Sequence, residues 1–568
     1  MLNGNMRKFG KNVMYMVDSL LKKIEAIPMN FWQAVLLIYG ASFLRGILEG
    51  YINLDNGDHF MGIGDTFFHY PLWYAGVFLF LFILVRLLTH EKIETISKVG
   101  SIFSFVILLA PLVDLLIGKP VRYLFIVGNP GDLLHSGVTF LGSFLSAVPV
   151  ESIGLRIEIA VALLFVGCYV FYKTHTLGRS VVGIGAAYAT IFVFLSLPTL
   201  VFYLYNGTIG AHEALTHRAV SDFYYNQDIA NSITSQRSFI VAVSGVAPSA
   251  VDSLENQYSI TTSLMFLVLD IVALAWWLYL FSKEEFFLLV KNLRLLRLGY
   301  YFSLFFLGVS EGVAVLQRLP TGSLFDCLSL VVAACALAFG WFFSVWENDE
   351  VDVSADKISN KNRPLVQGKA SLSVWRNVKY VFLLLSLVSA FLAGWYLFIL
   401  TLLFIFIYHL YSAPPLRLKR FLGLSSVLIA LNAVVALMMG FFIASGTENL
   451  ARFPSGVAAF VFVVIALVEN VKNIKDIEGD GHCGIYTLPV VLGEKKAKTV
   501  IGTLIFLAAV ATPFVFLLNA ITLATALTFG TIFFVIITRP RFDERYFFVA
   551  YLAFFLVFAV EVFFIAHA

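Results

Sequence analysis

The chain has 568 residues, 60% of them hydrophobic and only 13% charged, a composition that excludes a soluble globular protein. Repeated runs of about 20 apolar residues predict instead an all-α, polytopic integral membrane protein. The net charge of +3 says little by itself, and no nucleic-acid partner is expected.

Residues 1–30 are a basic, partly amphipathic lead-in with Arg7, Lys8, Lys11, Lys22 and Lys23. They lack a short apolar core with a small-residue cleavage site, so no removable signal peptide is expected. Six apolar spans follow at about 31–52, 67–89, 98–118, 155–173, 179–205 and 260–282. The piece at 120–150 is apolar but broken by Gly128-Asn129-Pro130-Gly131, which suits a re-entrant or interfacial segment as well as a span. Residues 206–258 read as a polar loop with one or two surface helices. Within it, His212 and His217 are five apart, so they cannot share a helical face as a HExxH zinc site requires. Cys168, Cys327 and Cys335 fall in apolar runs as small core residues, and Cys483 sits among oxygen donors where a sulfur ligand has no place.

The basic residues Lys283, Lys291, Arg294 and Arg297 read as a juxtamembrane helix on lipid headgroups. They divide the chain into residues 1–282, about six spans of unknown function, and residues 283–568. The second part holds nine spans, near 299–318, 323–346, 377–394, 397–412, 421–446, 454–473, 499–518, 520–538 and 545–567. Basic clusters at 283–297, 357–376, 417–420, 495–498 and 539–545 all fall on one side of these spans. By the distribution of Lys and Arg that side faces the cytoplasm, in the inner membrane if the cell is prokaryotic.

Two polar stretches interrupt the apolar pattern on that side. The first, Asn348 to Gly368, reads NDEVDVSADKISNKNRPLVQG. Asn348, Asp352 and Asp356 are spaced i, i+4, i+8, which stacks three oxygen-bearing side chains on one helical face. Asp349 and Glu350 point elsewhere and read as solvated. The second stretch, Glu469 to Gly493, reads ENVKNIKDIEGDGHCGIYTLPVVLG, and Asn473, Asp476 and Asp480 again share a face. Such acidic faces at the ends of membrane helices are costly unless a cation neutralises them. Oxygen ligands suit Mg²⁺, which keeps part of its shell for water and substrate phosphates. Two ions held from opposite sides would clamp a diphosphate as a leaving group. Arg363 is a planar donor placed to meet that diphosphate, and Lys472 and Lys475 either do the same as point charges or snorkel to the interface. Glu469, one turn before Asn473, reads as an outer partner of this face or part of an acceptor pocket.

These stretches resemble the paired Asp-rich motifs of the UbiA-type family of intramembrane prenyltransferases. NxxxDxxxD followed by NRPLxxG matches the first motif, DxxGDxxxGxxTLPVxLG the second, and Tyr411 to Lys419, YSAPPLRLK, the loop between them. The resemblance covers about residues 285–568 and implies a nine-helix bundle. One position departs: Lys472 stands where many members have the first Asp of a DxxxDxxxD motif, and Asn473 with Asp476 matches an NxxD form instead. The family likeness implies Mg²⁺ at Asn348, Asp352, Asp356, Asp476 and Asp480. It also implies contacts from Tyr411 and Lys419 to an isoprenoid diphosphate. The expected reaction is transfer of a polyprenyl group to an aromatic or lipid hydroxyl acceptor. Aromatic residues such as Tyr300, Phe302, Trp341 and Trp346 would line the prenyl channel or pack the bundle. Two alternatives stand beside this: phosphoribosyl transfer to a polyprenyl phosphate, and a scaffold or transporter with a degenerate enzyme half. The transport reading would draw on Arg45, Glu49, Asp114 and Glu158.

Overall fold

The computed structural model describes residues 18–54, 68–117, 153–206, 250–281, 283–316, 324–446, 449–482 and 484–567. The broken piece at 120–150, most of the 206–258 loop with both histidines, and Cys483 lie outside these residues. Every regular element among the described residues is helical. The described residues split into two compact units, divided between Phe287 and Leu288.

The first unit contains α1 (Phe31–Leu54), α2 (Tyr70–Thr89), α3 (Ile93–Phe103) leading through a 3₁₀ turn into α4 (Leu109–Ile117), α5 (Ile153–Thr174), α6 (Leu177–Asn206) and α7 (Ala250–Phe281). Helices stand at all six positions expected to be spans. Five of them (α2, α3 with α4, α5, α6 and α7) are long and apolar enough to cross a membrane, and α7 begins inside the stretch expected to be loop. α6 carries Pro198 in its interior. A proline has no N–H, so the carbonyl four residues earlier loses its helical partner. That carbonyl, of Phe194, accepts instead from Trp73 Nε1 of α2 at 3.2 Å. Two further polar residues inside this unit, Arg45 and Asp114, are matched in the same manner. Arg45, 1% exposed, donates to Glu49 at 2.7 Å, Glu158 at 2.5 Å and the Ile107 carbonyl at 2.8 Å. Asp114 accepts from the Gly154 N–H at 2.9 Å.

The amphipathic helix α8 (Lys283–Asn292) spans the division between the units. The second unit contains α9 (Leu295–Leu316), α10 (Leu324–Val351), the short α11 (Val353–Ser359), α12 (Leu372–Ala393), α13 (Trp395–Ser412), α14 (Leu424–Ser445), α15 (Ser455–Asn473), the short α16 (Ile477–His482) and α17 (Leu488–Leu492), α18 (Glu494–Val515), α19 (Ala520–Thr538) and α20 (Glu544–His567). Nine of them, all but α11, α16 and α17, are long and apolar enough to cross a membrane, as the sequence predicts.

Close backbone approach holds the centre of this unit together. Gly308 and Gly312 of α9 face α14, and Gly440 of α14 faces α9; a Cβ on Gly308 would lie 2.0 Å from the Leu437 carbonyl oxygen, and one on Gly440 1.8 Å from that of Phe305. In a bilayer, where lipid is as apolar as leucine, small residues that admit such contact drive helix association. At the motif end, Trp346 of α10 and Trp375 of α12 stack with ring centroids 4.9 Å apart. Trp375 Nε1 also donates to the Trp346 carbonyl at 3.0 Å, so the end of α10 is pinned two residues before Asn348.

Gly440→Ala is therefore expected to force α9 and α14 apart. Overpacking of this kind costs about 2 kcal/mol, or about 3 °C in the unfolding midpoint of the detergent-solubilised protein. Gly456→Ala, whose added Cβ meets nothing within 4 Å, should leave the midpoint within about 1 °C. Equal shifts in the two variants would refute the close-contact account.

Candidate active site

α10 stops at Val351, Asp352 takes φ −91° and ψ 10°, and α11 resumes at Val353. The interruption does not rotate the acidic face away. Backbone N–H groups of Asp352, Asp356 and Asn360 donate to the carbonyls of Asn348, Asp352 and Asp356 at 2.9, 2.9 and 2.8 Å. The i, i+4 ladder thus runs unbroken through the junction and adds Asn360 to the stack. On the second stretch the Asp480 N–H donates to the Asp476 carbonyl at 2.8 Å, holding both carboxylates at the start of α16.

The two faces line one cavity of roughly 100 Å³. Asn348, Asp352, Asp356, Arg363, Tyr411, Lys419, Asn473, Asp476 and Asp480 all border it. Asn360 joins the faces directly, its Nδ2 donating to Asp356 at 3.1 Å and to Asp476 at 3.3 Å. Cations neutralise the first face from elsewhere in the unit. Asp352 accepts from Arg417 at 2.8 Å and from Lys419, and Lys419 also donates to Asn348 at 2.9 Å. Arg363 donates to Asp356. Lys472 borders the cavity, pairs with Glu469 and donates to the Tyr411 hydroxyl at 3.1 Å.

Neutralisation is uneven. Burial works against the Asp352 carboxylate, but Lys419 and Arg417 outweigh it and hold the group below the usual carboxylate range. Burial lifts Asp356 to about 6, with Asp349 and Asp352 adding to the effect against Arg363. Burial followed by the charge of Asp476 lifts Asp480 to about 7. Crowded carboxylates that resist ionisation are what a divalent cation relieves. The donor set also fits such an ion, since the candidate ligands are all carboxylate or amide oxygens. Among the described residues no three acidic, histidine or cysteine side chains converge closely enough to hold a metal alone. A cation here would complete its shell with amide, substrate and water oxygens.

The structure corrects several expectations. Lys475 does not border the cavity; its ammonium pairs with Glu544 at 2.7 Å, because the chain turns between α15 and α16 and carries residue 475 to the outer face. Asp349, expected to be solvated, is 2% exposed. It accepts from Asn292 at 3.0 Å, Arg363 at 2.8 Å and Arg294. Glu350, expected to be solvated too, is half-buried and paired with Arg376 at 2.6 Å and Lys379 at 2.8 Å. Arg294 and Arg297, expected on lipid headgroups, border the cavity, and Arg297 pairs with Glu544 at 2.7 Å. Their sequence signal is two arginines at i, i+3 just before the first span of the unit. Asn360 was foreshadowed by continuing the i+4 spacing one step beyond Asp356.

Residues 303–562 match the model of the UbiA prenyltransferase family, and the likeness carried by the three motifs holds for the C-terminal half. The chain is 29% identical over 183 residues to digeranylgeranylglyceryl phosphate synthase of Sulfolobus acidocaldarius, covering 32% of this chain and 63% of that protein. It is 31% identical over 186 residues to homogentisate phytyltransferase of Synechocystis sp., covering 32% of this chain and 60% of that protein. The match thus spans less than two thirds of the length of these curated relatives. Among solved structures, a UbiA homologue from Archaeoglobus fulgidus bound to GPP and Mg²⁺ is similar at 24% identity, over 48% of this chain and 99% of that one, with a TM-score of 0.37.

Because Asn360 ties the two faces together, Asn360→Ala should weaken any affinity of the site for a divalent cation. Loss of such an outer hydrogen bond costs about 10- to 100-fold in metal affinity. Titration of the purified protein with Mn²⁺, followed by electron paramagnetic resonance of the free ion, measures it; wild-type affinity in the variant would refute the bridging role.

Proposed function

We propose that the C-terminal half, which matches the UbiA prenyltransferase family, transfers a prenyl group from an isoprenoid diphosphate to an acceptor within the membrane, with Mg²⁺ as cofactor. One observation carries this reading: two acidic helical faces more than 100 residues apart border a single cavity together with Arg363, Lys419 and Lys472. Asn348, Asp352, Asp356, Asp476 and Asp480 would hold the metal, with Asn473 beside them. When bound, Mg²⁺ draws off the negative charge that builds on the diphosphate as it leaves.

The chain's own residues do the rest. Lys419, Arg363 and Lys472 sit where diphosphate oxygens can replace their present carboxylate and phenol partners, and so bind and orient the donor. Cleavage of the allylic C–O bond sends its electron pair to the diphosphate and leaves a carbocation on the prenyl chain. Trp341, Tyr408 and Tyr411 border the cavity and present aromatic surface to that cation. The surrounding bundle keeps water away, so that the acceptor rather than water forms the new bond and gives up a proton. The acceptor is an aromatic ring carbon or a lipid hydroxyl, classes represented by the homogentisate and glyceryl phosphate named for the relatives. The Lys and Arg pattern puts this end of the bundle at the cytoplasmic face.

The test is transfer from labelled geranylgeranyl diphosphate by the full-length protein in nanodiscs, with Mg²⁺ and a panel of aromatic and lipid acceptors. Wild type should form product only with Mg²⁺. Asp352→Asn and Asp476→Asn should each lower turnover by at least about 100-fold, the scale of losing one preorganised charge-stabilising group. No donor consumed by folded wild-type protein, or full activity in either variant, would overturn the reading.

A further inference from the structure

Asp349 is the one acidic residue of the first stretch that is buried yet lies off the metal-facing ladder. It is one residue beyond Asn348 on α10, so its side chain leaves the helix about 100° away from that face. Three donors from separate segments converge on it. Asn292 Nδ2, at the end of α8, donates to one oxygen at 3.0 Å. Arg294, from the turn before α9, and Arg363, from the loop after α11, both donate to the other. Both arginines border the cavity, while Asp349 does not.

The arrangement at Arg363 decides what Asp349 does. A single nitrogen, Nη1, donates to Asp349 Oδ1 at 2.8 Å and also to Asp356 Oδ2. One guanidinium is therefore divided between a buried carboxylate away from the cavity and a carboxylate proposed as a metal ligand. The remaining Asp356 oxygen accepts from Asn360 at 3.1 Å. A cation approaching Asp356 must displace Arg363, and a partly buried guanidinium is costly to release without another anion to take it. Asp349 supplies that anion already in contact with the same nitrogen.

We infer that Asp349 is a positioning residue that holds Arg363 in reserve: it takes up the guanidinium when a divalent cation binds Asp356, and so sets the affinity of the site for that cation. This rests on the metal-binding reading proposed above. Without the Asp349 charge, Arg363 has only Asp356 and competes fully with the metal. Asp349→Asn keeps an acceptor oxygen and the side-chain shape while removing the charge, so it isolates the electrostatic contribution.

Mn²⁺ binding to the full-length protein in detergent, read by electron paramagnetic resonance of free Mn²⁺, tests the inference without any need for turnover. Asp349→Asn should weaken Mn²⁺ binding about tenfold, the lower end of the effect of outer partners on metal affinity. Arg363→Gln should bind Mn²⁺ at least as tightly as wild type, because the competitor is gone. The double variant should recover the affinity that Asp349→Asn loses. A purely structural role for Asp349 predicts the reverse, a double variant at least as weak as Asp349→Asn, and that result would overturn the inference. If Asp349→Asn does not fold, Arg363→Gln alone decides: weaker Mn²⁺ binding than wild type refutes competition. Folded wild-type protein that binds no Mn²⁺ sinks the metal-site reading itself, whereas tight wild-type binding that Asp349→Asn leaves unchanged sinks only the role of Asp349.

Discussion

A charge taken out of water at a membrane-spanning bundle must be matched, and that requirement organises both units of this protein. In the first unit Arg45 is enclosed by Glu49, Glu158 and a backbone carbonyl. In the second, Asp352 is met by Arg417 and Lys419, Asp349 by Arg294 and Arg363, and Glu544 by Arg297 and Lys475. Apart from Glu49, which shares α1 with Arg45, the partners come from different helices and loops, so these pairs also fasten one element to another. Assembling the bundle end and assembling the candidate site are one electrostatic problem, and rigid spans held by glycine contacts and stacked tryptophans keep its solution in place.

Much of this was legible in the sequence because the signals are periodic and local. Runs of apolar residues gave the nine spans of the C-terminal unit, and the i+4 spacing from Asn348 to Asp356 survived even the break at Asp352, where hydrogen bonding continues the helical path. The errors share a physical cause. Asp349 and Glu350 look alike beside a membrane, and what separates them is the arrival of Arg294 and Arg363 on one and of Arg376 and Lys379 on the other. Partners of that kind come from 14 to 55 residues away in the chain, and no local period encodes them. Lys475 failed for a related reason. It lies just past the end of α15, where one altered dihedral decides whether a side chain faces the cavity or the outside. The Gly308-x-x-x-Gly312 spacing was present to be read, but its meaning depended on Gly440 of a helix more than 120 residues later.

The cavity is bordered by four carboxylates, Asp352, Asp356, Asp476 and Asp480, and by five cationic side chains, Arg294, Arg297, Arg363, Lys419 and Lys472. Among the described residues Asp352 and Asp356 touch cations, whereas Asp476 and Asp480 have none in contact, and Arg294, Arg297 and Lys472 pair with acids away from the cavity. An anionic diphosphate accompanied by divalent cations brings charge of both signs, and the two largely cancel. On the proposed reading such a pair would enter by exchange, the metal at the carboxylates and the diphosphate at the ammonium and guanidinium groups, so that no isolated charge would be left in the bundle. Diphosphate alone would leave the carboxylates uncompensated, whereas metal alone would displace Lys419 from its carboxylate but leave Arg363 with Asp349. On the proposed reading, joint occupancy would therefore be tighter than binding of the metal alone, which Asp349 still permits at Asp356. The cations nearest the ladder are suited to this unequally. Lys419, 6% exposed, is a point charge that must let go of Asp352 to serve a new partner. Arg363 already spans two carboxylates with one nitrogen and needs only to shift its weight from one to the other. On the proposed reading, Asp356 would thus accept a cation with the least rearrangement, and Asp352 would be freed where Lys419 found a diphosphate oxygen to receive it.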